Sequence, residues 1–152
     1  MPHLFLNLGS ELGAPERRQP VVISTMLTWV YLAAAICTAS AFLRYQGAIP
    51  NGDIVPDPCR IGDWPGVGHF SSNGAGPRNE FGLDFAAAGH VWTQSLCQKD
   101  SDRDGRTNGQ ELGDPTCRWT PTSTISLAAP TTHPGICEPI GSSACAWQAF
   151  LC

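Results

Sequence analysis

A twelve-residue acidic segment, Asp100 to Glu111, constrains the fold of this chain more than any other feature of its sequence. It places carboxylates at loop positions 1, 3, 5 and 12 and a glycine, Gly105, at position 6, which is the layout of an EF-hand calcium loop. A hard divalent cation takes several oxygen ligands, and a tight loop collects them when alternate residues point inward. Gly105 permits the sharp turn that this requires. The predicted calcium ligands are Asp100, Asp102, Asp104, Arg106 through its backbone carbonyl, Asn108 and Glu111.

Two features around this segment predict a solitary calcium loop rather than a paired EF-hand. Thr107 occupies position 8, where paired EF-hands usually carry an aliphatic residue that joins two loops. Downstream, Gly113 and Pro115 stop the exiting helix. We therefore expect a structural calcium site and not a sensor that opens a groove on binding. A solvated acidic turn is the alternative, because Asp, Asn, Ser and Gly are common turn residues.

The beginning of the chain predicts export. An apolar run from Met26 to Cys37 is followed by small residues up to Ala41, which is typical of a secretory signal peptide over residues 1–41. Met26 is an alternative start, because residues 1–25 would make an unusually long leading region. The run is shorter than the roughly twenty apolar residues that span a bilayer. We expect a secreted, extracellular protein with no membrane insertion after signal removal, comprising a domain over 42–137 and a C-terminal tail over 138–152.

The cysteines agree with an oxidising compartment. Of the seven in the chain, Cys37 lies in the predicted signal peptide and the rest follow it: Cys59, Cys97, Cys117, Cys137, Cys145 and Cys152. An even number in a short exported domain predicts a disulfide framework, and the absence of any Cys-x-x-Cys pair argues against a zinc site. A bridge between Cys97 and Cys117 would clamp the ends of the acidic loop, and Cys145 and Cys152 are a candidate pair near the end of the chain. The spacings leave the complete set of pairings open.

Composition narrows the class of protein further. The net charge of −4 and the absence of a basic cluster argue against nucleic acid or an anionic membrane as a partner. Sixteen glycines and thirteen prolines predict many turns. We therefore expect a small, disulfide-stabilised, loop-rich α+β domain in which disulfides and a bound cation supplement a modest core.

One amphipathic helix is predicted over about 79–98, leading directly into the acidic loop. Asn79 is a suitable N-cap, and Glu80 and Asp84 favour the N-terminal end of the helix. Apolar residues recur at helical spacing and predict a core-facing stripe that consists of Phe81, Phe85, Ala88, Trp92 and Leu96.

No catalytic motif is recognisable, so we expect a protein that is not an enzyme. The histidines after the predicted signal peptide are His69, His90 and His133, which have no local metal-ligand spacing. Structural or surface roles are the simplest interpretation. If the three converged in space, the alternative would be an extracellular domain associated with copper-dependent oxidation. A structural matrix or mucus component is a further alternative, although no repeat or low-complexity tract supports it.

Motifs distributed along the chain resemble the temptin family, which comprises secreted molluscan water-borne pheromone proteins and related small extracellular domains. The similarity extends from about Tyr45 to Cys137. The segments that carry it are Ile49 to Gly52, Gly66 to His69, Arg78 to Gly82, Phe85 to Gly89, Trp92-Thr93, Leu96-Cys97, Asp100 to Pro115 and His133 to Cys137.

The resemblance implies a disulfide pattern and a function. It implies that Cys97 pairs with Cys117 and Cys59 with Cys137, whereas the segment with Cys145 and Cys152 extends beyond the usual end of the family. The implied function is extracellular, pheromone-like signalling as one component of an attractant mixture, with other secreted peptides or a cell-surface receptor as partners. A shared domain does not by itself transfer a specific activity.

Overall fold

The structure, a computed structural model, describes residues 45–152, so the predicted signal peptide and the candidate start at Met26 lie outside the described residues. Three short helices form in this part of the chain: α1, Glu80–Ala87, α2, Gln94–Gln98, and α3, Asn108–Glu111. None of the described helices is long and apolar enough to cross a membrane.

Strand structure in residues 45–152 is limited to isolated bridges. Pro56 pairs with Asp63, and His69 pairs with Arg78, both in antiparallel orientation. The prediction of a small, disulfide-rich and loop-rich domain is confirmed, but the sheet that an α+β class implies is absent from the described residues. The many prolines and glycines favour turns over continuous strand ladders.

The single helix predicted over 79–98 is wrong, because the structure divides it into α1 and α2. α1 ends at Ala88, and the N–H groups of Gly89 and His90 bond back to the carbonyls of Ala86 and Phe85 at 3.0 and 2.9 Å. This is a Schellman motif, in which Gly89 adopts a left-handed conformation with φ of 71°. A new helix then begins after Thr93, whose hydroxyl accepts the Leu96 N–H.

The predicted apolar stripe nevertheless faces the core. Phe81 and Phe85 stack with their ring centroids 6.0 Å apart, and Ala88 is partly buried beside them. The core cluster contains residues from α1 and α2, from the chain around these helices and from the residue that follows α3: Ile49, Val55, Val67, Phe81, Phe85, Trp92, Leu96, Cys97 and Leu112. The stripe therefore marks burial correctly even though the backbone turns between its two halves.

A buried amide joins the turns before α1 to the helix. Asn79 is fully buried; its side-chain oxygen accepts the Gly82 N–H, which confirms the predicted N-cap. Its amide nitrogen donates to the carbonyls of Val67 and His69 at 2.9 and 3.1 Å. One side chain thus satisfies three buried backbone groups that have no strand ladder to pair with.

The disulfides differ in part from the expected pattern. Cys97 is bonded to Cys117, as predicted. The expected pairings of Cys59 with Cys137 and of Cys145 with Cys152 are wrong; the structure instead joins Cys59 to Cys152 and Cys137 to Cys145.

The course of the C-terminal segment explains these pairings. Phe150 packs against Trp64 and stacks on Phe70, which brings the end of the chain to Cys59. Gln148 accepts the Cys137 N–H and donates to Glu80 at the start of α1. Residues 138–152, predicted as a tail, therefore pack against the domain.

We predict that Asn79→Ala lowers the free energy of unfolding by about 2–4 kcal/mol, because it removes the helix cap and leaves the buried Val67 carbonyl without a donor. Urea denaturation under oxidising conditions measures the change. Asn73→Ala is the control, since the bonds of Asn73 lie in an exposed turn, and it should cost less than about 1 kcal/mol. Equal losses in the two variants would contradict the proposed role of Asn79.

Candidate metal centre

The acidic loop gathers three of the predicted calcium ligands. Oxygen atoms of Asp100, Asp102 and Asp104 lie within 4.8 Å of one another, and this is the group of metal-ligating side chains found among residues 45–152. Asp102 is fully buried. Like charges at this separation repel one another, so an arrangement of this kind needs a compensating charge or protonation.

Each of these side chains uses one oxygen to shape the loop. Asp100 Oδ2 accepts the Gly105 N–H at 3.0 Å, Asp102 Oδ1 accepts the Asp104 N–H at 3.3 Å, and Asp104 Oδ1 accepts the Arg106 N–H at 2.9 Å. Such contacts are typical of Asx turns. Gly105 has φ of 99°, which confirms that the turn at position 6 requires a glycine.

The remaining oxygens are left without a protein partner. Asp100 Oδ1, Asp102 Oδ2 and Glu111 Oε2 are buried and make no hydrogen bond. Buried polar atoms are almost always paired, because an unpaired one keeps its full desolvation cost. The loop therefore presents bare carboxylate oxygens to its interior.

α3 carries Glu111, which is not part of the group within 4.8 Å but lies close enough for the charges of Asp102 and Asp104 to raise its pKa. The helix begins with a capping box, in which Thr107 accepts the Gln110 N–H and the Gln110 side chain accepts the Thr107 N–H. Glu111 is fully buried, and its Oε1 accepts the Thr132 hydroxyl at 3.0 Å. α3 ends directly afterwards at Leu112, which confirms that no long exiting helix follows the loop.

The other two predicted ligands, Asn108 and the backbone carbonyl of Arg106, are not among these carboxylates. Asn108 is fully buried; its amide donates to the Leu96 carbonyl and the Ser101 hydroxyl, and its oxygen accepts the Ser101 N–H. These bonds give Asn108 a role in holding the loop closed. The exposed Arg106 directs its guanidinium to the Thr131 hydroxyl at 3.2 Å.

The bridge between Cys97 and Cys117 lies against α3. A Cβ atom at Gly109 would come within 2.3 Å of the Cys97 sulfur, so only glycine allows α3 to pack this closely on the disulfide. Beyond the loop, buried Asp114 accepts hydrogen bonds from the Trp92 indole and from the N–H groups of Arg118 and Trp119. The chain is thus fastened on both sides of the acidic group.

Burial and mutual repulsion raise the pKa values of two carboxylates in and beside the loop, Asp102 and Glu111. Burial, with the charge of Asp104 next, raises the pKa of Asp102 from 3.8 to about 8. Burial and the charges of Asp102 and Asp104 raise the pKa of Glu111 from 4.5 to about 9, against the hydrogen bond from Thr132. Both carboxylates are therefore costly to ionise where they stand.

Glu138 is an acidic neighbour that the sequence did not point to. Its charge contributes to the raised pKa of both Asp102 and Glu111, and burial raises its own pKa. Its Oε1 accepts the His133 N–H at 3.0 Å. Because Glu138 lies twenty-seven residues after Glu111, in the segment taken for a tail, only the folded chain brings it here.

The donor set fits a hard divalent cation. The available atoms are carboxylate oxygens, which Ca²⁺ and Mg²⁺ prefer, and neither cysteine nor histidine belongs to the group. Asp100, Asp102, Asp104 and Glu111 would hold the ion, whose charge would offset their repulsion.

The three histidines do not form one metal-ligating group among residues 45–152, because His69 and His90 line the same cavity and His133 lies elsewhere. His69 hydrogen-bonds through Nδ1 to the Gly76 carbonyl, and His90 stacks on Tyr45. His133 is fully buried, its Nδ1 accepts the Gly135 N–H, and burial lowers its pKa to about 3. The structure thus does not bring the three imidazoles together as the copper hypothesis requires.

In the absence of divalent cations, we predict that the free energy of unfolding falls as pH rises from about 5 to about 8. Asp102 and Glu111 keep protons in the folded state that the unfolded chain has already released, so rising pH favours unfolding. Urea denaturation in a chelator at several pH values measures this. Glu111→Gln, which removes one buried charge, should be more stable than the unsubstituted protein near pH 8 in chelator. A wild-type profile that rises with pH would contradict the raised pKa values of Asp102 and Glu111.

Comparison with known proteins identifies the family of this chain. The family model described as Temptin C-terminal matches residues 39–136, which include the whole acidic loop and stop just before Glu138. Temptin of Aplysia californica is 48% identical over 112 residues, which cover 72% of this chain and 90% of that protein. No solved structure matches the chain. The extent of both sequence matches shows that this chain belongs to the temptin family.

Proposed function

We propose that this protein is a secreted, pheromone-like signal of the temptin family whose fold is stabilised by one calcium ion in the loop from Asp100 to Glu111. The observation that carries the calcium assignment is the pair of fully buried carboxylates, Asp102 and Glu111, each with an oxygen that has no partner. A cation bound between them would supply the missing interaction.

Calcium is favoured over magnesium by the form of the site. Magnesium keeps several waters and demands a near-ideal octahedron, whereas calcium accepts more protein oxygens in a flexible arrangement. Here the carboxylates come from a short loop and a buried helix end, and Asp102 and Glu111 are shielded from solvent. A buried site with several carboxylates favours calcium, because calcium loses its bound water more readily than magnesium does.

A structural ion suits this domain because its fold has little regular structure. α3 is only four residues long, and Gly113, with φ of 79°, follows its C-cap Leu112. Within residues 45–152, the helices on either side of the loop are only five and four residues long, so the site lacks the long helices that a calcium sensor moves. Calcium would order the loop permanently in calcium-rich extracellular fluid.

The signalling part of the proposal rests on membership of the temptin family. The disulfides and the predicted signal peptide support export. We propose that the protein acts without catalysis, in an attractant mixture, through other secreted peptides or a cell-surface receptor. The copper-dependent alternative receives no support, because His133 lies apart from His69 and His90.

We predict that saturating calcium raises the melting temperature by about 10 °C relative to chelator, because a ligand that binds only the folded state adds about 2.7 kcal/mol at a hundred times its Kd. Glu111→Gln should weaken calcium binding at least tenfold, about 1.4 kcal/mol, by removing a buried charge. Differential scanning calorimetry and isothermal titration measure the two effects.

Asp53→Asn is the matched control for that experiment, because it removes one exposed carboxylate outside the loop and should leave both values unchanged. A melting temperature that ignores both calcium and chelator would refute the calcium site. Equal stabilisation by magnesium at the same concentration would replace calcium by a generic divalent ion.

The signalling role is tested separately, by chemosensory recordings from the animal that produces the protein. We predict a response to the purified, calcium-loaded protein together with co-secreted peptides, and a reduced response to Glu111→Gln at matched concentration. Asp53→Asn should remain active. A full response to the peptides without the protein would argue against its part in the mixture.

A further inference from the structure

A cavity of about 280 Å³ lies beside α1, and no residue of the acidic loop lines it. It is enclosed by the first described turn, the chain before α1 and one face of α1. Its apolar wall is formed by Tyr45, Ile49, Val67, Phe85 and His90. Neither the calcium site nor the disulfides account for this cavity.

The floor of the cavity is built from backbone in close contact. A Cβ atom at Gly82 on α1 would come within 2.0 Å of the Gly68 carbonyl oxygen, and one at Gly66 within 2.4 Å of the Gly74 nitrogen. Glycine at these positions therefore lets α1 and the preceding turns pack directly together. Because the floor is backbone rather than flexible side chain, the cavity is formed before any ligand arrives.

Three rings form one side of the cavity. Tyr45 and His90 stack with centroids 4.4 Å apart, and Phe85 presents its ring edge-on to both, at 6.2 and 5.5 Å. His90 adopts φ of 59° and is held by its N–H bond to the Phe85 carbonyl. A flat apolar group can stack on such a wall.

The guanidinium of Arg78, which forms no ion pair with the residues that the structure describes, accompanies the rings. Arg78 lines the cavity and is exposed, and the ion pairs among residues 45–152 are Arg60 with Asp57 and Lys99 with Asp84. The antiparallel bridge between His69 and Arg78 fixes the backbone from which its side chain extends. A planar, permanently charged fork at the rim of an apolar cavity matches the geometry of a carboxylate.

His69 adds a second polar group at the same rim. Its Nδ1 lies 3.1 Å from the Gly76 carbonyl and so carries the hydrogen of that bond. Its Nε2 makes no hydrogen bond with the described residues and is available to a ligand atom.

We propose that this cavity binds a small organic carboxylate with a flat apolar body, whose carboxylate pairs with Arg78 and whose body packs against the rings of Tyr45, Phe85 and His90. The volume is just below the range of roughly 300–1,000 Å³ typical of sites for drug-sized ligands, so it admits a single ring with a short acid arm. The same chemistry is offered by a free aromatic acid and by the C-terminal residue of a peptide that ends in phenylalanine. This inference is independent of the signalling role and of the calcium site.

The test is a titration of the folded, disulfide-bonded protein in calcium-containing buffer with phenylacetate and with phenylacetamide, its uncharged analogue. Amide NMR signals of Gly66, Gly68 and Gly82 report occupancy of the cavity. Phenylacetate should bind about tenfold more tightly than phenylacetamide, the effect of a charge-assisted hydrogen bond. A Gly-Gly-Phe peptide with a free carboxylate, compared with its C-terminal amide, distinguishes a peptide end from a free acid as the preferred source.

Two substitutions test which residue contacts the carboxylate of the ligand and which contacts its apolar body. Arg78→Gln should remove the preference for phenylacetate and leave phenylacetamide unchanged, whereas His90→Asn, which tolerates positive φ, should weaken both. Arg118→Gln changes an exposed arginine outside the cavity and should alter neither. The proposal fails if neither probe shifts the cavity signals up to about 10 mM, where a Kd of about 1 mM would give near-saturation, or if Arg78→Gln leaves the preference intact.

Discussion

The repulsion among buried carboxylates is the constraint on which the rest of this structure depends. Asp102 and Glu111 are fully buried, and each keeps an oxygen with no partner. Without a cation, the two groups must retain protons at neutral pH or bear the cost of unpaired buried charge. Both states lower the stability of the folded domain at neutral pH. The domain has little stability to lose, because the free energy of unfolding is a small difference between large terms. A divalent ion bound between the two carboxylates would offset their repulsion, and the ionised groups would then stabilise the fold.

The remainder of the fold holds these groups in place without a sheet. Side-chain amides make long-range hydrogen bonds to the backbone where other folds have strand ladders. Asn79 bonds three backbone groups, and Asn51 donates to the carbonyls of Leu112 and Ala128 across the domain. The disulfides act over different distances, because the Cys59–Cys152 bridge spans 93 residues and the Cys97–Cys117 bridge only 20. Together these contacts compensate for the modest core of a small domain.

The sequence predicted correctly those features of the fold that depend only on residues close together in the chain. The Asn79 cap, the glycine turn at Gly105 and the early end of α3 all follow from chemistry within a few positions of the chain. Gly89 is itself a local signal for the end of a helix. The apolar stripe continues past Gly89, and for this reason it predicted one helix where the structure has two. Periodicity reports burial, and a chain can turn while keeping the same face toward the core.

Features that depend on distant contacts were not accessible in this way. Glu138 reaches the acidic group, and Phe150 brings Cys152 to Cys59, because the C-terminal segment folds back over the domain. Parity and sequence proximity paired Cys145 with Cys152 instead, since spacing carries no information about such a return. The cavity beside Arg78 was equally hidden, because its wall combines residues separated by more than forty positions.

α1 is the element through which the acidic loop and the cavity are connected. Asp84 on this helix accepts the hydroxyl of Ser101, which stands between two predicted calcium ligands, and pairs with Lys99 just before the loop. The next residue, Phe85, forms part of the aromatic wall. A change in the loop that moves Ser101 must therefore either break its bond to Asp84 or shift the helix that carries Phe85. Energetic coupling between two binding sites is reciprocal, so calcium and a cavity ligand would each strengthen the other's binding to the extent that both favour this position of α1.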